Sequence, residues 1–450
     1  MSQMPIKTLH ITNYYHSTSG GIRTFYRALL EAADSHGRHV RLVVPGPEES
    51  IENVGQFGRI YTIAAPRSPF FDPCYRLLFP HLYALPYGSA LKRILRAEQP
   101  HLVEICDKYT LCYLPSVLRK GWISGVRPPV LVGLSCERMD DSISAFVSPG
   151  RAAHRFSDWY MKKIYCPRFD HHISNSAYTA EEVCRALGKR TDVEVHVCPM
   201  GVASELFSPL RRHATKRESL LGHFREGSHP EKKFRLVLSV CRISPEKNIS
   251  LLLNMMEALA NDRSADYGLL IAGAGPSAPS FGETGERRAP GRVRLLGHIG
   301  DRERLADLYA NCDALVHPNP REPLGLAPLE AMASGLPVVV PNSGGVLSYA
   351  NAENCWLAPP TGAAFANTVR QLFADDRARR DRVEQALATA RQFSWPIVTG
   401  RYFGLYDRIF AASKRPWTRG QYELGAADSR AWAPDEHVPK DNNPPVEVDP

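Results

Sequence analysis

The chain has no run of the roughly 18 uninterrupted apolar residues that a membrane helix needs, so no helical span is expected. It has no C-x-x-C pair either: its ten cysteines are scattered without regular spacing. That pattern reads as reduced thiols in a cytoplasmic protein and argues against a disulfide scaffold or a zinc site. The opening stretch MSQMPIKTLHITNYY has no basic region followed by a long apolar core, so no secretory leader is expected. An aromatic–basic RNA-binding pattern, zinc-finger spacing and a long basic helix are all missing. A formal net charge of +8 over 450 residues is therefore too dilute to indicate nucleic acid. It is compatible with anionic small molecules or an anionic membrane surface. No internal repeat occurs, and no Asp-x-Asp stands at the end of a strand-like run, so no metal is expected.

Ordinary globular material is present: 44% hydrophobic and 23% charged residues, in a length that suits two or three domains. Short apolar runs alternate with helix-length segments. In the first half they are KTLHITN (7–13), VRLVVP (40–45), RIYTIA (59–64), HLVEIC (101–106), PVLVGLSC (129–136), HHISNS (171–176) and VEVHVCP (193–199). The second half has FRLVLSV (234–240), YGLLIAG (267–273), RVRLLG (292–297), ALVHPN (314–319) and PVVVPN (337–342). Near-continuous apolar strands separated by helices predict parallel sheets covered on both faces, here two doubly wound α/β domains in series. The expected boundaries are 1–207 and 234–395. The charged, aperiodic 208–233 between them reads as a basic linker with solvated side chains, and the proline-rich 414–450 as a disordered tail.

Certain segments carry chemistry. Gly20 and Gly21 stand at a strand-to-helix turn, where backbone can approach a phosphate and a helix start offers free N–H groups. Arg242 and Lys247 follow the first strand of the second half, with Pro245 at a plausible first helical position. They lie where open α/β sheets bind ligands, and suit a diphosphate. In REPLGLAPLEAMASGLPVVVPNSGG (321–345), Glu322 and Glu330 flank a charge-poor turn centred on Gly325, which suggests carboxylates at both edges of a ligand.

This order of motifs resembles the retaining glycosyltransferases of the large GT-B family 4. The resemblance is carried by CRISPEKN (241–248), GAGP (273–276), LLGHI (295–299) and EPLGLAPLEAMASGLPVV (322–339). SGGIRTF (19–25), SNSAYTAEEV (174–183), PMGVASELFSP (199–209) and FSW (393–395) add to it. It implies two Rossmann-like domains across a cleft, a helix at 396–413 crossing back to the first domain, and a nucleoside-diphosphate sugar (UDP- or GDP-linked) as donor, without a metal. By the same resemblance Arg242 and Lys247 bind the diphosphate, Glu330 the ribose, and Glu322 the sugar. The backbone at Gly325, Leu326 and Ala327 seats sugar and phosphate, Gly20 and Gly21 close from the other domain, and His298 and Ile299 lie near the base.

One departure concerns the acceptor side. In LSCERMDD (134–141), Cys136 stands where the family often has a histidine, and a thiol is a poorer partner for a sugar hydroxyl. Cys136 and Glu137 remain catalytic candidates beside Glu322, and Arg138 and Asp140 possible acceptor contacts. Leu324 and Ala203 also replace commoner Phe and Asp. The expected acceptor is a glycan, a lipid-linked molecule or a small molecule. The aromatic and basic segment 68–96 offers a peripheral membrane contact, or simply core packing. A cytoplasmic hexosyltransferase, at the inner face of the membrane if the acceptor is a lipid, is the resulting expectation. Its rivals are a non-catalytic nucleotide-sugar-binding homologue and a sugar-nucleotide epimerase on the same architecture.

Overall fold

The apolar runs become two parallel sheets. The computed structural model describes residues 6–16, 20–68, 75–84, 89–146, 151–190, 193–224, 231–260, 262 and 264–413; the expected tail lies outside them. In the N-terminal half the strands are β1 (Lys7–Thr12), β2 (His39–Gly46), β3 (Ser50–Val54), β4 (Gly58–Ala64), β5 (Leu102–Cys106), β6 (Val130–Ser135), β7 (His171–Ser174) and β8 (Glu194–Val197). They lie in the order β3-β4-β2-β1-β5-β6-β7-β8. All neighbours are parallel except the β3–β4 pair, an antiparallel hairpin at the edge. The C-terminal half adds β9 (Lys233–Val240), β10 (Ala265–Ala272), β11 (Val293–Gly297), β12 (Ala314–Val316), β13 (Val338–Pro341) and β14 (Trp356–Ala358). These form an all-parallel sheet in the order β11-β10-β9-β12-β13-β14.

Central strands such as β1, β5, β6 and β10 are buried along their whole length; β6 and β10 are accordingly mostly apolar without alternation, whereas β1 and β5 pair His10 with Glu104 inside the core. Five helices shape the cleft and its supports: α1 (Gly21–Glu31), α2 (Ala177–Leu187), α3 (Ser250–Leu259), α4 (Leu326–Ala333) and α5 (Trp395–Ala412). In each sheet the strand order reverses beside the first strand of its half, β1 or β9. Crevices at the carboxyl ends of the strands open there.

The connection between the sheets differs from the sequence reading. Residues 214–221 are a helix, and the basic side chains around it are not merely solvated. Arg211 Nε lies 2.8 Å and Lys216 Nζ 2.6 Å from Asp307, and Arg217 Nη2 lies 2.9 Å from Asp313. The segment is clamped onto the C-terminal domain by carboxylates 91 and 96 positions away, invisible to local patterning. At the far end, α5 returns to the N-terminal domain. It buries Val398, Tyr402, Phe403, Tyr406 and Ile409, and the Tyr406 hydroxyl donates to Glu104 Oε2 of β5 at 2.8 Å. Where the chain crosses, Val202 N donates to Phe393 O at 2.8 Å.

Candidate active site

The two carboxyl edges face each other across a cleft of about 1470 Å³. Its C-terminal wall is built by the turns after β9, β10 and β11 and by α4. After β9, Pro245 opens a single turn that ends at Asn248, whose φ of +53° reverses the chain before α3. Asparagine tolerates that left-handed conformation better than most residues. This geometry aims Lys247 inward, while Arg242 stays exposed on the cleft wall.

The loop after β12 supplies the acidic groups. Lys247 Nζ donates to Glu322 Oε2 at 2.8 Å, as does Asn319 Nδ2 at the same distance, with His317 Nε2 3.5 Å away. Burial pushes the Glu322 carboxyl up, but Lys247 and His317 outweigh burial and hold it well below the usual carboxylate range. In turn burial lowers Lys247, and the Glu322 carboxylate more than compensates, leaving it above the usual lysine value. The loop is fixed from behind, where Gly345 N donates to Glu322 O at 2.7 Å. Gly325, at φ +85°, caps α4 in a conformation that disfavours side chains; an added Cβ would lie 2.9 Å from Val346 Cγ1. One turn into α4, Glu330 Oε2 accepts from the Tyr309 hydroxyl at 2.9 Å. Here burial dominates, opposed by Tyr309 and Arg302, and the carboxyl is pushed up to about 7.

The N-terminal wall comes from the ends of β1, β5 and β6 and from the start of α1. Gly21 approaches α4 closely: an added Cβ would meet Leu326 Cδ1 at 3.0 Å. Cys136 faces the cleft with its Sγ 3.9 Å from that of Cys106. Glu137 is held by the Tyr14 hydroxyl at 3.4 Å. Burial pushes its carboxyl up, opposed by Lys108 and reinforced by Asp107.

The structure therefore brings Gly20, Gly21, Cys136, Glu137, Arg242, Lys247, His298, Ile299, Leu326 and Glu330 onto one cleft. Glu322, Gly325 and Ala327 are not on its surface; Glu322 reaches it through Lys247. Arg138 and Asp140 are not on it either. They pair with each other at 2.6 Å, and the Arg138 guanidinium stacks over Tyr178 at 4.5 Å, so both serve structure. Leu324 is packed in the core, away from the cleft.

Sequence reasoning missed Asp107 and Lys108, which follow β5 directly onto the cleft. Lys108 Nζ donates to Glu182 Oε2 of α2 at 2.7 Å and to Glu137 O at 2.5 Å, fixing the Glu137 backbone. A charged pair at a strand's carboxyl end was the available signal. Tyr75, whose ring stands 4.4 Å from that of His16, also lines the site; it lies in the segment read as membrane contact or core. Positions 69–74 and 85–88 of that segment lie outside the described residues.

Two parallel α/β sheets facing across such a cleft define the GT-B class of glycosyltransferases. Sucrose-phosphate synthase from Thermosynechococcus elongatus has this fold, with a TM-score of 0.69 at 20% identity, over 90% of this chain and 100% of its own. So does a glycosyltransferase involved in lipopolysaccharide biosynthesis, with a TM-score of 0.61 at 14% identity, over 88% of this chain and 99% of its own. Residues 19–206 match the description Glycosyltransferase Family 4, and residues 223–389 match glycosyl transferases group 1. A GDP-mannose-dependent alpha-(1-6)-phosphatidylinositol dimannoside mannosyltransferase from Mycobacterium tuberculosis is 30% identical over 394 residues, 87% of this chain and 93% of its own. A D-inositol 3-phosphate glycosyltransferase from Xylanimonas cellulosilytica is 26% identical over 302 residues, 66% of this chain and 70% of its own. The chain belongs to glycosyltransferase family 4 and is a glycosyltransferase.

Proposed function

We propose that the chain transfers a hexose, with retention of anomeric configuration, from a UDP- or GDP-linked sugar to an acceptor held at the N-terminal wall. The observation that carries this is a single unit, the loop after β12 with α4. It places the Lys247–Glu322 pair at one end and Glu330 at the other, against the cleft that Gly20 and Gly21 close. A nucleoside-diphosphate sugar has matching parts in that order. Glu330 would accept from the ribose hydroxyls, with His298 and Ile299 by the base. Arg242, Lys247 and the amides of Leu326 and Ala327 would meet the diphosphate. Those groups, rather than a metal ion, would neutralise its charge. Glu322, behind Lys247, would orient the sugar.

For transfer, the bond from the anomeric carbon to the phosphate oxygen breaks while the acceptor oxygen bonds to the same face. The departing phosphate takes the acceptor's proton, so no protein base is required. Cys136 and Glu137 border that face, and Lys108 positions Glu137. The mycobacterial relative is named a GDP-mannose-dependent phosphatidylinositol dimannoside mannosyltransferase, which supports GDP-mannose and a lipid-linked polyol glycoside as the first pair to try. Among the described residues no helix is long and apolar enough to cross a membrane. The enzyme would then work in the cytoplasm, meeting a lipid-linked acceptor at the inner face of the membrane.

The test is incubation with GDP-mannose or UDP-glucose and a panel of lipid-linked, glycan and polyol acceptors, with proton NMR of the product's anomeric centre. An α-linked product from an α-linked donor is expected. An inverted product would reject retention, and the absence of both transfer and slow donor hydrolysis with every pair would favour the non-catalytic reading.

A further inference from the structure

Away from the cleft, β7 and β8 bring three metal-ligating side chains to the outer edge of the N-terminal sheet. The parallel register sets Glu194 opposite His171, and His196 opposite Ile173. Residues in register share a face, as do residues two apart on one strand, so His171, Glu194 and His196 project from the same side. The two imidazoles stack with centroids 5.7 Å apart, and the potential ligand atoms of all three residues lie within 4.8 Å of one another. His196 Nε2 is a buried nitrogen with no hydrogen-bond partner among the described residues, and it stands 3.5 Å from Glu194 Oε2. Two imidazoles and a carboxylate are a ligand set for a borderline divalent cation.

We propose that His171, Glu194 and His196 form a divalent transition-metal site, of the kind that takes Zn²⁺, which staples the edge strand β8 to β7. Small rotamer changes bring the three ligand atoms to one ion, since the sheet register already fixes their backbones. Arg408 of α5 lies near His196 and repels a bound cation, so the affinity is moderate. The role is structural. Directly after β8 comes Cys198, whose carbonyl accepts from the Tyr402 hydroxyl of α5, and then Val202 at the crossing between domains. The site thus anchors the strand from which the chain leaves for the second domain.

The probe is Zn²⁺ alone, titrated into the chelator-treated full-length chain in competition with a chromophoric chelator. One equivalent should bind with micromolar affinity, weakening by about tenfold or more in His171→Ala, His196→Ala and Glu194→Gln. Co²⁺ in its place should give visible bands without the near-ultraviolet charge transfer that a thiolate ligand adds, which separates this site from the cysteines. Zn²⁺ at a few times the parent's dissociation constant should raise the melting temperature of the parent chain by clearly more than that of Glu194→Gln. Should a histidine variant fail to fold, the exposed Glu194→Gln decides alone. No binding at micromolar concentration, undiminished binding in the variants, or a thiolate band would each overturn the proposal.

Discussion

Glu322 and Glu330 stand eight residues apart on one loop-and-helix unit, yet their carboxyls shift in opposite directions. Both are half-buried, which raises each; what differs is the partner. Glu322 has the Lys247 ammonium at 2.8 Å, whereas Glu330 has a phenol at 2.9 Å. An opposite charge outweighs desolvation where a neutral donor does not. The sign for Glu330 follows from its raised value. In the unliganded protein its contribution to stability is fully present below the unfolded carboxyl value and is lost as pH rises through about 7. Ribose hydroxyls donate to the ionised form, so nucleotide binding should run the other way. Affinity for a nucleoside-diphosphate sugar should fall about tenfold between pH 8 and pH 6, with proton release on binding at pH 7. Glu330→Gln should bind more weakly and without that slope, as calorimetry in buffers of different ionisation enthalpy will measure. These four charged residues, Arg242, Lys247, Glu322 and Glu330, were legible because their spacing is local. Tyr309 was not, since its role arises from a partner brought close only by the fold, and Asp107 and Lys108 carried no signal beyond a charged pair at a strand's carboxyl end.

At the scale of elements, most of the parallel strands could be read directly because burial on both faces makes them rich in apolar residues. Two strands were missed, for different reasons. β3, SIENV, is exposed over four of its five residues and pairs antiparallel at the edge, and β14 has only three residues. The entry to α4 is the element most sensitive to one atom. Gly325→Ala would put a side chain at φ +85° and 2.9 Å from Val346 Cγ1, where neighbouring groups are pinned by Gly345 N and the Tyr349 hydroxyl. A loss of about 1–3 kcal/mol in urea unfolding is expected. Donor affinity should fall with it, since the same turn aims the amides of Leu326 and Ala327.

Over the whole molecule, α5 ties the end of the described chain to the first domain, and the cleft lies between the two bodies it links. The tie is polar at its centre. Glu104 pairs with His10 Nδ1 at 2.9 Å and accepts from the hydroxyls of Tyr26 and Tyr406 at 3.2 and 2.8 Å. Tyr406→Phe leaves a buried carboxylate oxygen short of a donor and should lower unfolding stability by about 1–3 kcal/mol, with nucleotide affinity unchanged. Away from α5 the domains also meet at a long ion pair, with Arg321 Nη1 3.7 Å from Asp141 Oδ1. Such a contact suits a cleft that must open for donor exchange. The central claim is that this cleft holds a nucleoside diphosphate. Calorimetric titration with UDP, GDP and ADP, repeated on Arg242→Ala and Glu330→Ala, tests it most directly. One nucleotide should bind, and both substitutions should weaken it by about tenfold or more, roughly 1.4 kcal/mol each. Binding of none at millimolar concentration, or equal binding by both variants, would contradict it.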